Sequence, residues 1–159
     1  MQEMIKLFDP HVGKEEEEII KRTLHSHFWA SGAGTNMVDK FEKKFKTYVN
    51  SKECIAVNSG TSALNLALSL CNIKNKEVIV PSLTFVSTVN AIKFNHGIPI
   101  FIDVDLKTGC LDTDKLEKLI TKKTKVILPV HFGGMACNLK KIMSVCKNYR
   151  LKLVEDAAH

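Results

Sequence analysis

Three stretches of this chain carry residue types that do chemistry, and each follows a short β-rich run. Ser59-Gly60-Thr61-Ser62 puts a glycine and three hydroxyls where a helix opens after residues 54–57. Unpaired N–H groups at a helix start, aligned with the helix dipole, attract an anion such as a phosphate. The same residues also make an ordinary N-cap, because Ser and Thr are favoured there. They are not a P-loop, since no GxxxxGK[ST] follows. Phe85 stands just beyond the run at 77–80 and is either a face on which a flat ring stacks or a core phenylalanine. Asp156 ends the run at 151–154. A carboxylate there holds a protonated ring nitrogen, a ribose hydroxyl or a metal, or it caps a helix. His131 and His159 also sit at run ends and are either ligand-facing or structural, while Glu155 reads as structural or exposed. Asp103 and Asp105 read as a strand cap and turn rather than a metal pair, and Cys137 has no base partner that would make it a nucleophile.

The elements that position these residues follow from the apolar rhythm. Residues 14–29 form a helix with Glu15 to Glu18 at its start and Lys21, Arg22, His25 and His27 toward its end, the polarity a helix dipole favours. Residues 31–34 break the chain, and Gly32-Ala33-Gly34 lacks the strand and third glycine of a dinucleotide fingerprint. Residues 36–49 repeat Val38, Phe41, Phe45 and Val49 at helical spacing. From residue 54 short runs at 54–57, 77–80, 98–102, 125–128 and 151–154 alternate with helical stretches at 62–72, 84–96, 112–122 and 138–149. This alternation predicts an α/β fold, a three-layer α/β/α arrangement around a mostly parallel sheet. The nearly continuous apolar runs predict helices on both faces. In open sheets of this kind ligands bind beyond the carboxyl ends of the strands, where the polar residues gather.

Composition narrows the class. The chain has 159 residues, 45% of them hydrophobic and 25% charged, with a net charge of +6. These values exclude collagen, low-complexity disorder and a disulfide scaffold. No apolar run reaches membrane-spanning length, and the N-terminus lacks the apolar core of a signal peptide. The lysines are dispersed and aromatics are only 7%, a poor match to a nucleic-acid groove. Five cysteines without a CxxC pair favour reduced, mostly buried thiols and a cytoplasmic setting.

In order along the chain, Asn58-Ser59-Gly60-Thr61-Ser62-Ala63-Leu64, Pro81-Ser82-Leu83-Thr84-Phe85-Val86-Ser87-Thr88 and Glu155-Asp156-Ala157-Ala158-His159 resemble the DegT/DnrJ/EryC1/StrS family of pyridoxal-phosphate-dependent nucleotide-sugar aminotransferases. Phe28-Trp29-Ala30-Ser31-Gly32, Phe41-Glu42-Lys43-Lys44-Phe45 and Pro129-Val130-His131-Phe132-Gly133-Gly134 extend the resemblance. It implies a fold-type-I transferase with pyridoxal 5'-phosphate as cofactor. Gly60, Thr61 and Ser62 would hold its phosphate, Phe85 would stack on its ring, Asp156 would bind the ring nitrogen, and His159 would lie near it. It implies amino transfer, commonly from glutamate, to a nucleotide-linked keto-sugar for surface polysaccharide or glycoconjugate synthesis, in a homodimer.

The same resemblance implies that the Schiff-base lysine falls some tens of residues beyond His159, so no residue of this sequence takes that role; Lys152 lies too early, inside a strand. The chain then reads as an N-terminal helical segment, residues 1–53, followed by an incomplete large domain, residues 54–159, inactive alone. In such folds the first strand pairs with the seventh rather than the second. The run at 54–57 would therefore lack neighbours, leaving a marginally stable chain that binds cofactor weakly or not at all. Rival readings are a sugar dehydratase of the same family, a non-catalytic phosphate- or cofactor-binding module, and a decayed gene product.

Overall fold

The computed structural model describes residues 10–28 and 36–159. The chain divides into two units, Met1–Ala56 and Val57–His159. The break at 31–34, Gly32-Ala33-Gly34 and the stretch from Trp29 to Gly32 lie outside the described residues.

In the first unit, helix α1 is Lys14–Ser26 and helix α2 is Asn36–Tyr48. The Gly13 amide donates to Glu16 Oε2 at 2.7 Å, which caps α1 from its acidic first turn. The helix stops earlier than the expected residue 29 because His27 takes a left-handed conformation (φ 59°). On α2, Phe41 and Phe45 stack at 5.7 Å, as their four-residue spacing allows. Glu42 Oε1 accepts from the Ala56 amide at 2.8 Å, fastening the end of this unit to α2.

The second unit is built on a parallel sheet. Strands β1 (Glu77–Pro81), β2 (Ile98–Ile102), β3 (Thr124–Ile127) and β4 (Lys152–Leu153) stand in the order β2-β1-β3-β4. Helices α3 (Gly60–Ser69), α4 (Val86–Phe94) and α5 (Leu139–Tyr149) connect or flank them. Strand side chains alternate between faces. Val78, Val80, Val126 and Leu128 pack with Leu64 and Leu68 of α3 and Ala91 and Ile92 of α4. Ile79 and Ile127 face the other way, against Ile142, Val145 and Cys146 of α5 and against Leu116. The result is three layers, as the apolar pattern predicts. Each fully buried Val, Leu or Ile contributes about 1.5–3 kcal/mol of transfer free energy. Among the described residues no helix is long and apolar enough to cross a membrane.

Two expected elements differ. Residues 54–57 form no strand, and Ile55 is 72% exposed. None of β1 to β4 pairs with this run, so its backbone enters no ladder. The expected helix at 112–122 is only a 3-10 turn at Leu116–Leu119. Asp112 Oδ1 accepts the Asp114 amide at 3.0 Å and Thr124 Oγ1 accepts the Thr121 amide at 2.9 Å. The Asp112 contact suits the start of a helical turn, whereas the Thr124 hydroxyl takes the Thr121 amide that a continuing helix would pair with a carbonyl four residues back.

Gly97 closes the turn from α4 into β2, and there is no room for a side chain on it. An added Cβ would lie 2.9 Å from Ile73 Cδ1 and 2.9 Å from Ile92 Cγ2. Gly97→Ala is therefore expected to destabilise the protein by about 1–3 kcal/mol, read as a lower denaturant midpoint. An unchanged midpoint would contradict this packing.

Candidate cofactor-binding site

The carboxyl ends of the strands gather most of the polar residues singled out above. Helix α4 leaves β1 at this edge, and Asp156 follows β4. Helix α3 leads into the amino end of β1, so its first turn points back toward the carboxyl edge.

Asp156 is buried, at 7% exposure. Its backbone continues the parallel ladder: its amide donates to Pro129 O at 2.9 Å, and its carbonyl accepts the His131 amide at 3.1 Å. The Thr88 hydroxyl donates to its Oδ2 at 2.7 Å, and the Ala158 amide donates to its Oδ1 at 3.2 Å. Thr84 and Thr88 hydroxyls lie 2.7 Å apart. A buried carboxylate without donors is costly, and these contacts supply them.

Phe85 caps the start of α4 in an extended conformation and is 71% exposed, so it is not a core phenylalanine. In α3, Ser59 caps the helix, its Oγ accepting the Ser62 amide at 3.2 Å. The Ala63 amide reaches Ser59 O at 3.0 Å, and Ser62 Oγ donates to Asn58 Oδ1 at 2.7 Å. The Gly60 and Thr61 amides make no hydrogen bond among the described residues. An added Cβ at Gly60 would meet nothing within 4 Å. The turn is thus both an N-cap and an open set of donors suited to a phosphate.

His159 Nδ1 accepts the Gly133 amide at 2.8 Å, so its neutral ring carries the proton on Nε2. The ring leans on Phe132 at 5.3 Å. Gly133, at φ 62°, occupies a left-handed turn that a side chain would strain. His131 is structural: Nδ1 accepts the Cys137 amide at 3.2 Å and Nε2 lies 2.9 Å from Glu155 Oε2. Asp105 builds a turn, its Oδ1 accepting the Lys107 and Thr108 amides at 2.9 and 3.1 Å. Asp103 pairs with Lys115 at 3.2 Å. No group of three or more metal-ligating side chains occurs among the described residues.

Thr84 and Thr88 were not singled out by sequence reasoning. Their signal was a pair of threonines four apart, one of them placed on the buried face of an apolar helix.

The fold is that of fold-type-I pyridoxal-phosphate enzymes, and the solved structures similar to it include sugar aminotransferases. The chain superposes on Bacillus subtilis NtdA with bound cofactor PMP at a TM-score of 0.84 and 36% identity, over 92% of the chain and 34% of that structure. Residues 10–159 match the DegT/DnrJ/EryC1/StrS aminotransferase family, and the chain belongs to it. It is 43% identical over 151 residues to the spore coat polysaccharide biosynthesis protein SpsC of Bacillus subtilis, covering 94% of the chain and 38% of that relative. It is 44% identical over 131 residues to the GDP-perosamine synthase of Caulobacter vibrioides, covering 82% of the chain and 35% of that relative. The chain thus spans under two fifths of the length of these curated relatives.

Four of the five cysteines are buried and all five are free thiols. Burial, reinforced by the neighbouring Cys110 thiol, pushes the Cys137 thiol up from 9.0 to about 12. Its Sγ donates to Val130 O at 3.2 Å. Cys137 is therefore expected to resist iodoacetamide at pH 8 while Cys54 reacts, because the thiolate is the reactive form. The raised value also has a stability consequence. Below pH 9 both folded and unfolded Cys137 are protonated and the contribution is fully present. As pH rises from 9 through about 12 the unfolded thiol ionises first and stability falls. Early modification of Cys137 would contradict its placement.

Proposed function

We propose that this chain forms the cofactor-holding part of a pyridoxal-phosphate-dependent aminotransferase acting on a nucleotide-linked keto-sugar. The amino donor is glutamate, the product serves surface polysaccharide or glycoconjugate synthesis, and the working enzyme is a cytoplasmic homodimer. The observation that carries this reading is the buried Asp156 carboxylate, held by Thr88 and the Ala158 amide at the carboxyl edge of the sheet.

The residues present fit the cofactor. The donor set at the start of α3 matches a phosphate: Gly60 and Thr61 offer amides, Thr61 offers a hydroxyl, the Ser62 hydroxyl joins them by turning from Asn58 Oδ1, and the bare Gly60 lets a ligand approach the backbone. Phe85 offers an exposed aromatic face for a pyridine ring. Asp156 is an anion matched to a protonated ring nitrogen. His159, oriented by the Gly133 amide, is a further contact. When bound, pyridoxal phosphate supplies an electron-withdrawing ring that stabilises negative charge at the reacting carbon. The work of Asp156 is to keep the proton on the ring nitrogen, and that of Phe85 is to hold the ring plane.

The reaction also needs a lysine for the Schiff base. Lys152 does not serve, because it lies inside β4 and its Nζ donates to Leu70 O at 2.9 Å, toward the end of α3. The curated relatives extend well beyond this span, and we assign the lysine to that remainder.

Titration with pyridoxamine phosphate tests the cofactor site. Asp156→Asn keeps the shape and removes the charge, and is expected to weaken binding about tenfold or more. Equal affinity for wild type and variant would overturn the assignment of Asp156. The reaction is tested in the complete protein with a nucleotide-linked keto-sugar and glutamate. Release of 2-oxoglutarate supports amination. Loss of water from the sugar without net glutamate consumption would instead make the enzyme a dehydratase.

A further inference from the structure

The buried carboxylate is held by a hydroxyl pair whose proton directions are fixed by chemistry. Asp156 in its ionised form only accepts. The single proton of the Thr88 hydroxyl therefore goes to Asp156 Oδ2, 2.7 Å away. Thr88 Oγ1 is left as an acceptor, so at 2.7 Å the Thr84 hydroxyl donates to it. Two hydroxyls thus line up toward one carboxylate oxygen, each polarising the next. The other oxygen takes the Ala158 amide at 3.2 Å. Donors from two separate elements, α4 and the segment after β4, therefore pin both oxygens and prevent the carboxylate from rotating. Thr88 itself is fully buried and its amide donates to Phe85 O at 3.1 Å. The same first turn of α4 therefore carries the exposed Phe85 ring and the hydroxyl that sets Asp156.

We infer that Thr88, with Thr84 behind it, is a positioning residue that aims the Asp156 carboxylate at the ring nitrogen of the cofactor. This rests on the reading of Asp156 as the partner of that nitrogen. A purely structural threonine would satisfy a buried carboxylate without affecting which ring atom the site prefers. A positioning threonine makes the preference for a basic nitrogen depend on its hydroxyl.

The test compares the affinity of the protein for pyridoxamine phosphate with that for its 1-deaza analogue, in which a C–H replaces the ring nitrogen. The ratio of the two affinities isolates the contact to Asp156 from phosphate binding and ring stacking. Wild type is expected to favour pyridoxamine phosphate about tenfold or more, and Thr88→Val to remove most of that preference. Thr88→Ser, which keeps the hydroxyl, is expected to retain the ratio within about twofold, and Thr84→Val to reduce it by about threefold. A merely structural role would lower both affinities together and leave the ratio unchanged. A folded Thr88→Val protein with the wild-type ratio overturns the inference and leaves the cofactor site standing. A wild-type ratio near one, or no binding of either compound, overturns the assignment of Asp156 and the inference with it. If Thr88→Val fails to fold, Thr84→Val decides, since it leaves the Thr88 contact in place: an unchanged ratio overturns the relay.

Discussion

Everything in the second unit depends on β1 being bonded on both sides and covered on both faces. Val78, Ile79 and Val80 are fully buried, with β2 on one flank and β3 on the other. Both of its partners run parallel to it. Each connection therefore has to return along a face of the sheet before the next strand begins. Helix α4 makes that return between β1 and β2, and α5 makes it between β3 and β4. Every strand then ends at the same edge. That edge receives the first turn of α4, His131 after β3, and Asp156 after β4, residues far apart in sequence that the apolar core brings to one place.

The same edge solves a second problem, the burial of a charge. Asp156 continues the ladder beside Val130, where little of it meets solvent. Its carboxylate is acceptable there because Thr88 and Ala158 supply a donor to each oxygen. The neighbouring contacts stiffen the frame. His131 links Glu155 to the Cys137 amide, and the Cys137 thiol is tied to Val130 O. The groups with chemical potential thus separate into two sets. His131 and Cys137 spend their polar atoms on the protein, whereas the α3 amides and the Phe85 face are turned outward.

The fold class was legible because short β-branched apolar runs such as 78–80 and 126–128 alternate with helical stretches, the pattern of strands covered on both faces. Asp156 and Phe85 were legible as strand-end residues, but not in their surroundings. Exposure of Phe85 depends on how α4 leaves β1, and burial of Asp156 depends on β3 reaching past it. Thr88 was hidden for the same reason, since its partner lies 68 residues away. Residues 54–57 misled because an apolar run of strand composition becomes a strand only when another strand pairs with it, and none of the four does. Residues 112–122 misled because Thr124 competes for the Thr121 amide that a longer helix requires. Local composition records what a segment favours, and the partners it meets decide the outcome.

The most direct measurement is the nitrogen-15 resonance of ring-labelled pyridoxamine phosphate bound to the protein, followed through neutral and mildly alkaline pH. With Asp156 as the anionic partner, the bound nitrogen stays protonated well above the pH at which the free compound loses that proton, and Asp156→Asn abolishes the difference. A bound nitrogen that titrates as it does in free solution would contradict the placement of Asp156 against the ring.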